Sequence, residues 1–145
     1  MEPITSYDSL IEKQYHQQHP HLQRQLDYLP TTFVDDNGIV FKAKADYYDT
    51  ISNTYIEVKN RQLNNYKSKQ ACLNRQQALR QRRGYLTQLE QLQSGWNHSI
   101  YKQLIVQQTL SLLGIDYLIV FYKPTKLSKQ ALNKMNALGL NYTIQ

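Results

Sequence analysis

The spacing of hydrophobic positions changes repeatedly along this chain of 145 residues, and each change predicts a new helix or strand. Apolar residues that recur every three to four positions predict helices, at 6–19, 64–94, 97–113 and 128–138. Alternating or continuous apolar runs predict strands, at 31–34, 39–49, 54–60, 117–122 and 140–144. Helices and strands in this order predict an α/β fold, a single domain in which a mixed central β-sheet is flanked by helices.

Residues typical of helix ends bound the predicted helices. Thr5 or Ser6 is the expected N-cap of the first helix, and Asn97 is the expected N-cap of the third. Gly114 is placed to cap the C-terminal end of that third helix. Gly84 lies inside the 64–94 segment, where glycine costs about 1 kcal/mol relative to alanine, so we expect a bend or break there.

Two turns connect the first three predicted strands. Residues 35–38 have the sequence DDNG, whose Asn-Gly pair supplies the positive φ angles of a tight hairpin. Residues 50–53 have the sequence TISN and form the second turn. The three strands are therefore expected to form an antiparallel meander. The polar segment 20–30, bracketed by two prolines, is expected to contribute little to the fold.

The second turn sets the register of its hairpin. If Thr50 pairs with Asn53, Asp46 falls opposite Glu57 on the next strand. In a shifted register Asp49 would lie nearer to Glu57 instead. Because the first register is symmetrical about the turn, it favours Asp46.

Two acidic side chains are then expected on one face of the hairpin. Successive side chains alternate across a strand, so Glu57 and Lys59 share the face of Asp46 while Ile56 and Val58 lie on the apolar face. Neighbouring carboxylates repel each other and favour a cation between them. Mg²⁺ suits such a pair, because it is usually bound by one or two carboxylates and keeps several waters.

Charge is distributed unevenly along the chain, whose formal net charge is +6. Residues 1–57 contain four Lys/Arg against nine Asp/Glu, whereas residues 58–145 contain thirteen against two. A segment this basic indicates a polyanionic partner, and nucleic acid is the obvious one. We therefore expect DNA as the partner, while nothing in the sequence distinguishes it from RNA.

The remaining composition narrows the class of protein. Hydrophobic residues make up 41% of the chain, as expected for a folded domain. No apolar run approaches the ~20 residues that cross a bilayer, and the N-terminus does not read as a signal peptide, so we expect a cytoplasmic protein without membrane contact. Cys72 is the only cysteine, which excludes an intramolecular disulfide.

The residues Ala45-Asp46 and, after a gap of ten, Glu57-Val58-Lys59 resemble the motif of the PD-(D/E)XK nuclease superfamily. The predicted order of elements resembles the core of that superfamily over about 90 residues. The pattern is similar to that of phage-type Holliday junction resolvases and of the DNA-cutting subunits of some transposons. The resemblance implies a restriction-endonuclease-like fold and a Mg²⁺- or Mn²⁺-dependent DNA endonuclease.

The resemblance also implies roles for individual residues. Asp46 and Glu57, with the carbonyl of Val58, would hold the metal ion, and Lys59 would orient the attacking water. In the resembling families a glutamate of the first helix joins the metal site, and Glu12 stands at that place. Alternatively Glu12 forms a capping box with the preceding turn or faces water.

The 64–94 segment is the most basic part of the chain and is longer than a simple connection requires, which suggests a helical insertion. It is expected to contact DNA, to form a homodimer contact, or both. The residues assigned to DNA binding are Lys67, Lys69, Arg75, Arg80, Arg82 and Arg83.

Two further sets of residues lie on the predicted 97–113 helix. Gln103 and Gln107 either reach the site or the DNA backbone or, as we interpret them, form the polar side of this helix. His98, in its first turn, could meet a phosphate. The alternative to an endonuclease is a DNA-binding protein that has the same fold without the chemistry.

Overall fold

The computed structural model describes residues 10–93 and 95–145. The expected N-cap at Thr5 or Ser6 therefore lies outside the described residues. The helices are α1 (Leu10–Gln18), α2 (Lys69–Arg83), α3 (Gln88–Gln93), α4 (Ile100–Leu112) and α5 (Lys129–Leu138), with a 3-10 turn at Trp96–His98. The strands are β1 (Gln23–Arg24), β2 (Phe33–Val34), β3 (Val40–Phe41), β4 (Tyr47–Asp49), β5 (Thr54–Lys59), β6 (Asp116–Phe121) and β7 (Tyr142–Ile144).

Five of these strands form one mixed sheet in the order β1-β4-β5-β6-β7. The pairs β1-β4 and β4-β5 are antiparallel, whereas β5-β6 and β6-β7 are parallel. Strands β2 and β3 form a separate antiparallel pair. The predicted α/β fold with a mixed central sheet and flanking helices is confirmed.

The predicted three-strand meander is wrong in its second strand. Residues 39–49 were expected to form one strand, but they divide into β3 and β4, which belong to different sheets. The stretch between them instead bonds to the proline-bracketed segment: the Leu29 amide donates to the Ala43 carbonyl at 2.8 Å, and the Gln25 amide donates to the Asp46 carbonyl at 3.0 Å. That segment also supplies β1, so it contributes more to the fold than its polarity suggests.

The predicted register of the β4-β5 hairpin is confirmed. Its pairs are Tyr47–Ile56, Tyr48–Tyr55 and Asp49–Thr54. The Asp49 carboxylate accepts the amides of Ile51 and Ser52 at 3.0 and 3.4 Å, and Asn53 has a φ of 51°. Asp49 therefore stabilises the turn, which rules out the shifted register that would bring it beside Glu57.

The two faces of the sheet have separate cores. On one face, Ile56 and Val58 pack with Tyr15 of α1. On the other, helices α4 and α5 cover β6, with Val106 and Met135 fully buried. Burying each such side chain contributes about 1.5 to 3 kcal/mol, so these contacts fix α4 firmly against the sheet.

The 64–94 segment is helical only from residue 69. The Ser68 hydroxyl caps α2 by accepting the Ala71 amide at 3.1 Å. Gly84 ends α2 in the left-handed region, with a φ of 80°, so the predicted break is confirmed. The predicted N-cap of the next helix is wrong by two residues, because residues 96–98 form the 3-10 turn and Ser99 caps α4.

No helix within the described part of the chain is long and apolar enough to cross a membrane.

Candidate active site

A cleft of about 470 Å³ lies between the stretch before β4, the end of β5 and the start of α4. Glu12, Asp46, Glu57 and Lys59, the side chains that the sequence assigns to catalysis, all line it. They come from three separate parts of the chain. The cleft is also lined by Tyr28, Lys42, Ala43, Lys44, Ala45, Asn97, His98 and Lys102.

Asp46 extends the hairpin by one residue before the start of β4. Its amide donates to the Ile56 carbonyl at 3.0 Å, and its Oδ2 accepts the Val58 amide at 2.7 Å. Burial raises the pKa of Asp46 well above its ordinary value, as do the negative charge of Glu57, a hydrogen bond with that side chain and, to a smaller extent, Glu12. The hydrogen bond from the Val58 amide lowers this pKa. Asp46 and Glu57 thus form a closely spaced acidic pair.

Glu12 enters the cleft from α1, on the opposite side of the sheet from α4. The Tyr47 hydroxyl donates to the Glu12 carbonyl at 2.7 Å, which attaches this turn of α1 to β4. The Glu12 charge contributes to the raised pKa of Asp46, so it lies within electrostatic range of the pair. Ser9, which would form the alternative capping box with Glu12, lies outside the described residues.

Lys59 contacts His98 across the cleft, with 3.3 Å between Nζ and Nδ1. Burial and the positive charge of Lys59 lower the pKa of His98 to about 4, with smaller contributions from Lys102 and Arg61 and opposition from Glu57. His98 is therefore neutral at pH 7. Because an ammonium group can only donate, Nδ1 accepts and the ring proton resides on Nε2.

Lys102 is a cleft residue that sequence reasoning missed. Its residue surface is only 5% exposed. Burial lowers the pKa of Lys102 to about 8, helped by the charge of Lys59 and opposed by those of Glu57 and Asp46. The sequence already indicated that Lys102 is unusual, because it is the only Asp, Glu, Lys or Arg in residues 97–113.

Gln103 supports the cleft from behind. It is fully buried, so its interpretation as part of a polar helix side is wrong. Its Nε2 donates to the Asn97 carbonyl at 2.9 Å, and its Oε1 accepts the Tyr117 hydroxyl at 2.6 Å. This chain of hydrogen bonds ties the turn that carries His98 to strand β6. Gln107, one turn later, bonds the α5-β7 connection instead.

The donor set at the cleft suits a hard divalent cation. Asp46 and Glu57 supply carboxylate oxygens. The Lys59 carbonyl bonds the Tyr122 amide on the β6 side, so by strand alternation the Val58 carbonyl lies on the other side, toward Asp46. Among the described residues there is no group of three or more His, Cys, Asp or Glu that could hold a metal. Two carboxylates with a main-chain carbonyl and waters match the way Mg²⁺ is usually bound.

The basic residues assigned to DNA binding remain at the surface. All of them are exposed: Lys67, Lys69, Arg75, Arg80, Arg82 and Arg83. Lys69 lines a second cleft next to the first. Arg83 is hydrogen-bonded to Glu90, which connects α2 to α3.

Comparison with known proteins found no family model, no curated protein and no solved structure that matches this chain.

Proposed function

We propose that this chain is a metal-dependent endonuclease that hydrolyses phosphodiester bonds in DNA. The proposal rests on one observation, the convergence of Glu12, Asp46, Glu57 and Lys59 on a single cleft. The acidic pair carries the argument, because two half-buried carboxylates at short range are costly unless a cation compensates them. Functional sites are where such perturbed groups concentrate.

The residues of the cleft would have different roles in hydrolysis. Asp46, Glu57 and the Val58 carbonyl would hold Mg²⁺ or Mn²⁺, with Glu12 able to support a second ion or orient the first. A bound ion supplies an activated water and polarises the scissile phosphate. Lys59, at 3.3 Å from His98, is held where an ammonium can orient that water and offset the charge that develops on phosphorus.

Two lysines at the mouth of the cleft favour an anionic substrate. Lys42 and Lys44 are exposed, and their ammonium groups lie 5.4 and 4.9 Å from the centre of the Tyr28 ring. Their charges offset the acidic floor for an approaching phosphate backbone. The exposed arginines of α2 add positive charge to the surface outside the cleft.

The competing function is DNA binding without hydrolysis, and Lys102 favours it. Its buried ammonium can balance the acidic pair without a metal ion. The two functions differ in one respect that is simple to measure, which is whether a divalent ion produces strand cleavage.

The deciding experiment incubates supercoiled plasmid and a panel of linear and branched DNAs with the protein in Mg²⁺, Mn²⁺ or EDTA. We expect cleavage with either ion, none in EDTA, and none with Glu57→Gln. Asp36→Asn is the matched control, because Asp36 is an exposed acidic residue of the β2-β3 turn, outside the cleft. DNA binding by the wild-type protein without cleavage in any metal would instead establish the binding function.

A further inference from the structure

A second cleft, of about 510 Å³, opens directly beside the candidate active site. The two clefts share Tyr28, Lys42, Asn97 and His98 as lining residues. They are therefore adjacent. The second cleft is walled by the β2-β3 hairpin on one side, by the first half of α2 on another and by the 3-10 turn.

The second cleft combines aromatic surface with hydrogen-bonding groups. Trp96 is 8% exposed and packs edge-on against Phe41, with ring centroids 5.6 Å apart. Its indole Nε1 is buried and has no hydrogen-bond partner among the described residues. Gln76 and Gln91 add amide groups to the lining. The cleft therefore offers polar side chains beside an aromatic wall.

Tyr28 lies where the two clefts meet. Its residue surface is 56% exposed, although it is a large aromatic side chain with Lys42 and Lys44 beside its ring. An exposed aromatic ring beside two cations has the composition of a platform for a nucleobase whose phosphate the cations neutralise. Lys69, at the far wall, offers a further cation for the next phosphate.

From these features we infer that the second cleft receives the base of one unpaired nucleotide next to the scissile phosphate. Its volume is in the range of small-molecule sites and is sufficient for a nucleoside. A base that is paired and stacked within a helix cannot stack on the Tyr28 ring or reach the amides, so the nucleotide must be single-stranded or extruded. The inference rests on the proposed endonuclease function and specifies its substrate: DNA with an unpaired segment at the cleavage point.

The first test measures base stacking without hydrolysis. A duplex with a single-stranded tail carries 2-aminopurine at the first unpaired position and is titrated with the protein in EDTA. We expect a fluorescence change with wild type and with Tyr28→Phe, and its loss with Tyr28→Ala, together with about tenfold weaker binding. Tyr85→Ala is the matched control, because Tyr85 is similarly exposed, at 61%, and lines neither cleft. An unchanged fluorescence response in Tyr28→Ala would overturn the inference.

The second test separates the inference from the function on which it rests. Tailed and blunt duplexes of equal length are digested in Mg²⁺. Preferential cleavage of the tailed DNA by wild type, with the preference reduced in Tyr28→Ala, supports the inference. Equal cleavage of both DNAs overturns it and leaves the endonuclease proposal intact. Tail-dependent fluorescence without any cleavage would overturn the endonuclease proposal and leave the nucleotide site.

Discussion

The carboxylate of Asp46 accepts a hydrogen bond of 2.7 Å from the main-chain amide of Val58. Asp46 precedes the first residue of β4, so its side chain, rather than a main-chain carbonyl of β4, accepts the hydrogen bond of the Val58 amide. The bond fixes the Asp46 carboxylate beside Glu57, where burial and then the charge of Glu57 raise the pKa of Asp46. The position of this group is thus set by the backbone of β5.

Asp46→Asn is expected to change how stability depends on pH in metal-free buffer. The pKa of Asp46 is raised in the folded state, so a proton binds the folded protein more tightly than the unfolded one. Relative to the variant, the wild type should lose stability as the pH rises from about 4 through that raised pKa. Melting temperatures of both proteins in EDTA, measured from pH 4 to 8, provide the difference. A difference that does not vary with pH would show that Asp46 is not a strained carboxylate.

Lys59→Ala is expected to reduce cleavage on the order of 10²- to 10³-fold, because it removes the ammonium that acts on the water and the phosphate. DNA affinity in EDTA and Mg²⁺ affinity should change little. Lys126→Ala, at an exposed lysine outside both clefts, should cut normally. Single-turnover rates provide the measurement. Turnover near that of wild type in Lys59→Ala would remove this residue from the mechanism.

Lys102→Met is expected to change the pH dependence of metal affinity. The pKa of Lys102 is lowered to about 8, and a divalent ion beside it further disfavours its protonated form. Wild-type Mg²⁺ affinity should therefore rise with pH up to about 8 and level off above it, and the variant should lack that rise. Calorimetric titrations between pH 7 and 9 test this. The same rise in both proteins would assign it to another group.

The arginines of α2 are expected to contribute salt-dependent DNA affinity. For duplex DNA, the slope of log K against log salt falls by about 0.9 for each phosphate that the protein no longer neutralises. Replacing Arg80 and Arg82 by Gln together should reduce the magnitude of that slope by up to about 1.8 and leave metal affinity unchanged. We leave Arg83 in place, because its bond to Glu90 connects α2 to α3.

The control for this pair is Lys126→Gln with Lys129→Gln, which removes the same charge from the exposed surface near α5. It should leave the slope close to that of wild type. If the arginine pair also leaves the slope unchanged, α2 is better explained as a dimerisation or structural helix.

Tyr117→Phe is expected to cost about 1 to 3 kcal/mol in free energy of unfolding, since it leaves the buried Gln103 oxygen without its donor. Urea denaturation measures the loss. Adding Gln103→Leu should cost less than the sum of the two single changes, because the two side chains share one hydrogen bond. Strict additivity would contradict a coupled pair.

The sequence by itself determined the local geometry of the acidic pair. The turn at 50–53 and the alternation of side chains suffice to place Asp46 opposite Glu57 and to separate Lys59 from the apolar face of β5. Gly84 likewise marked the end of α2, because a left-handed residue ends a helix wherever that helix packs. These features depend on contacts between near neighbours in the chain, which a sequence pattern records directly.

The tertiary structure alone decided which distant residues complete the cleft. His98 and Lys102 reach Glu57 and Lys59 only because α4 packs across the same face of the sheet, some 40 residues later in the chain. The pairing of β1 with β4 also escaped prediction, since two polar residues in a proline-bracketed segment show no strand pattern. Periodicity identifies which side of an element is apolar, but the partner that buries it is chosen by the packing of the whole core.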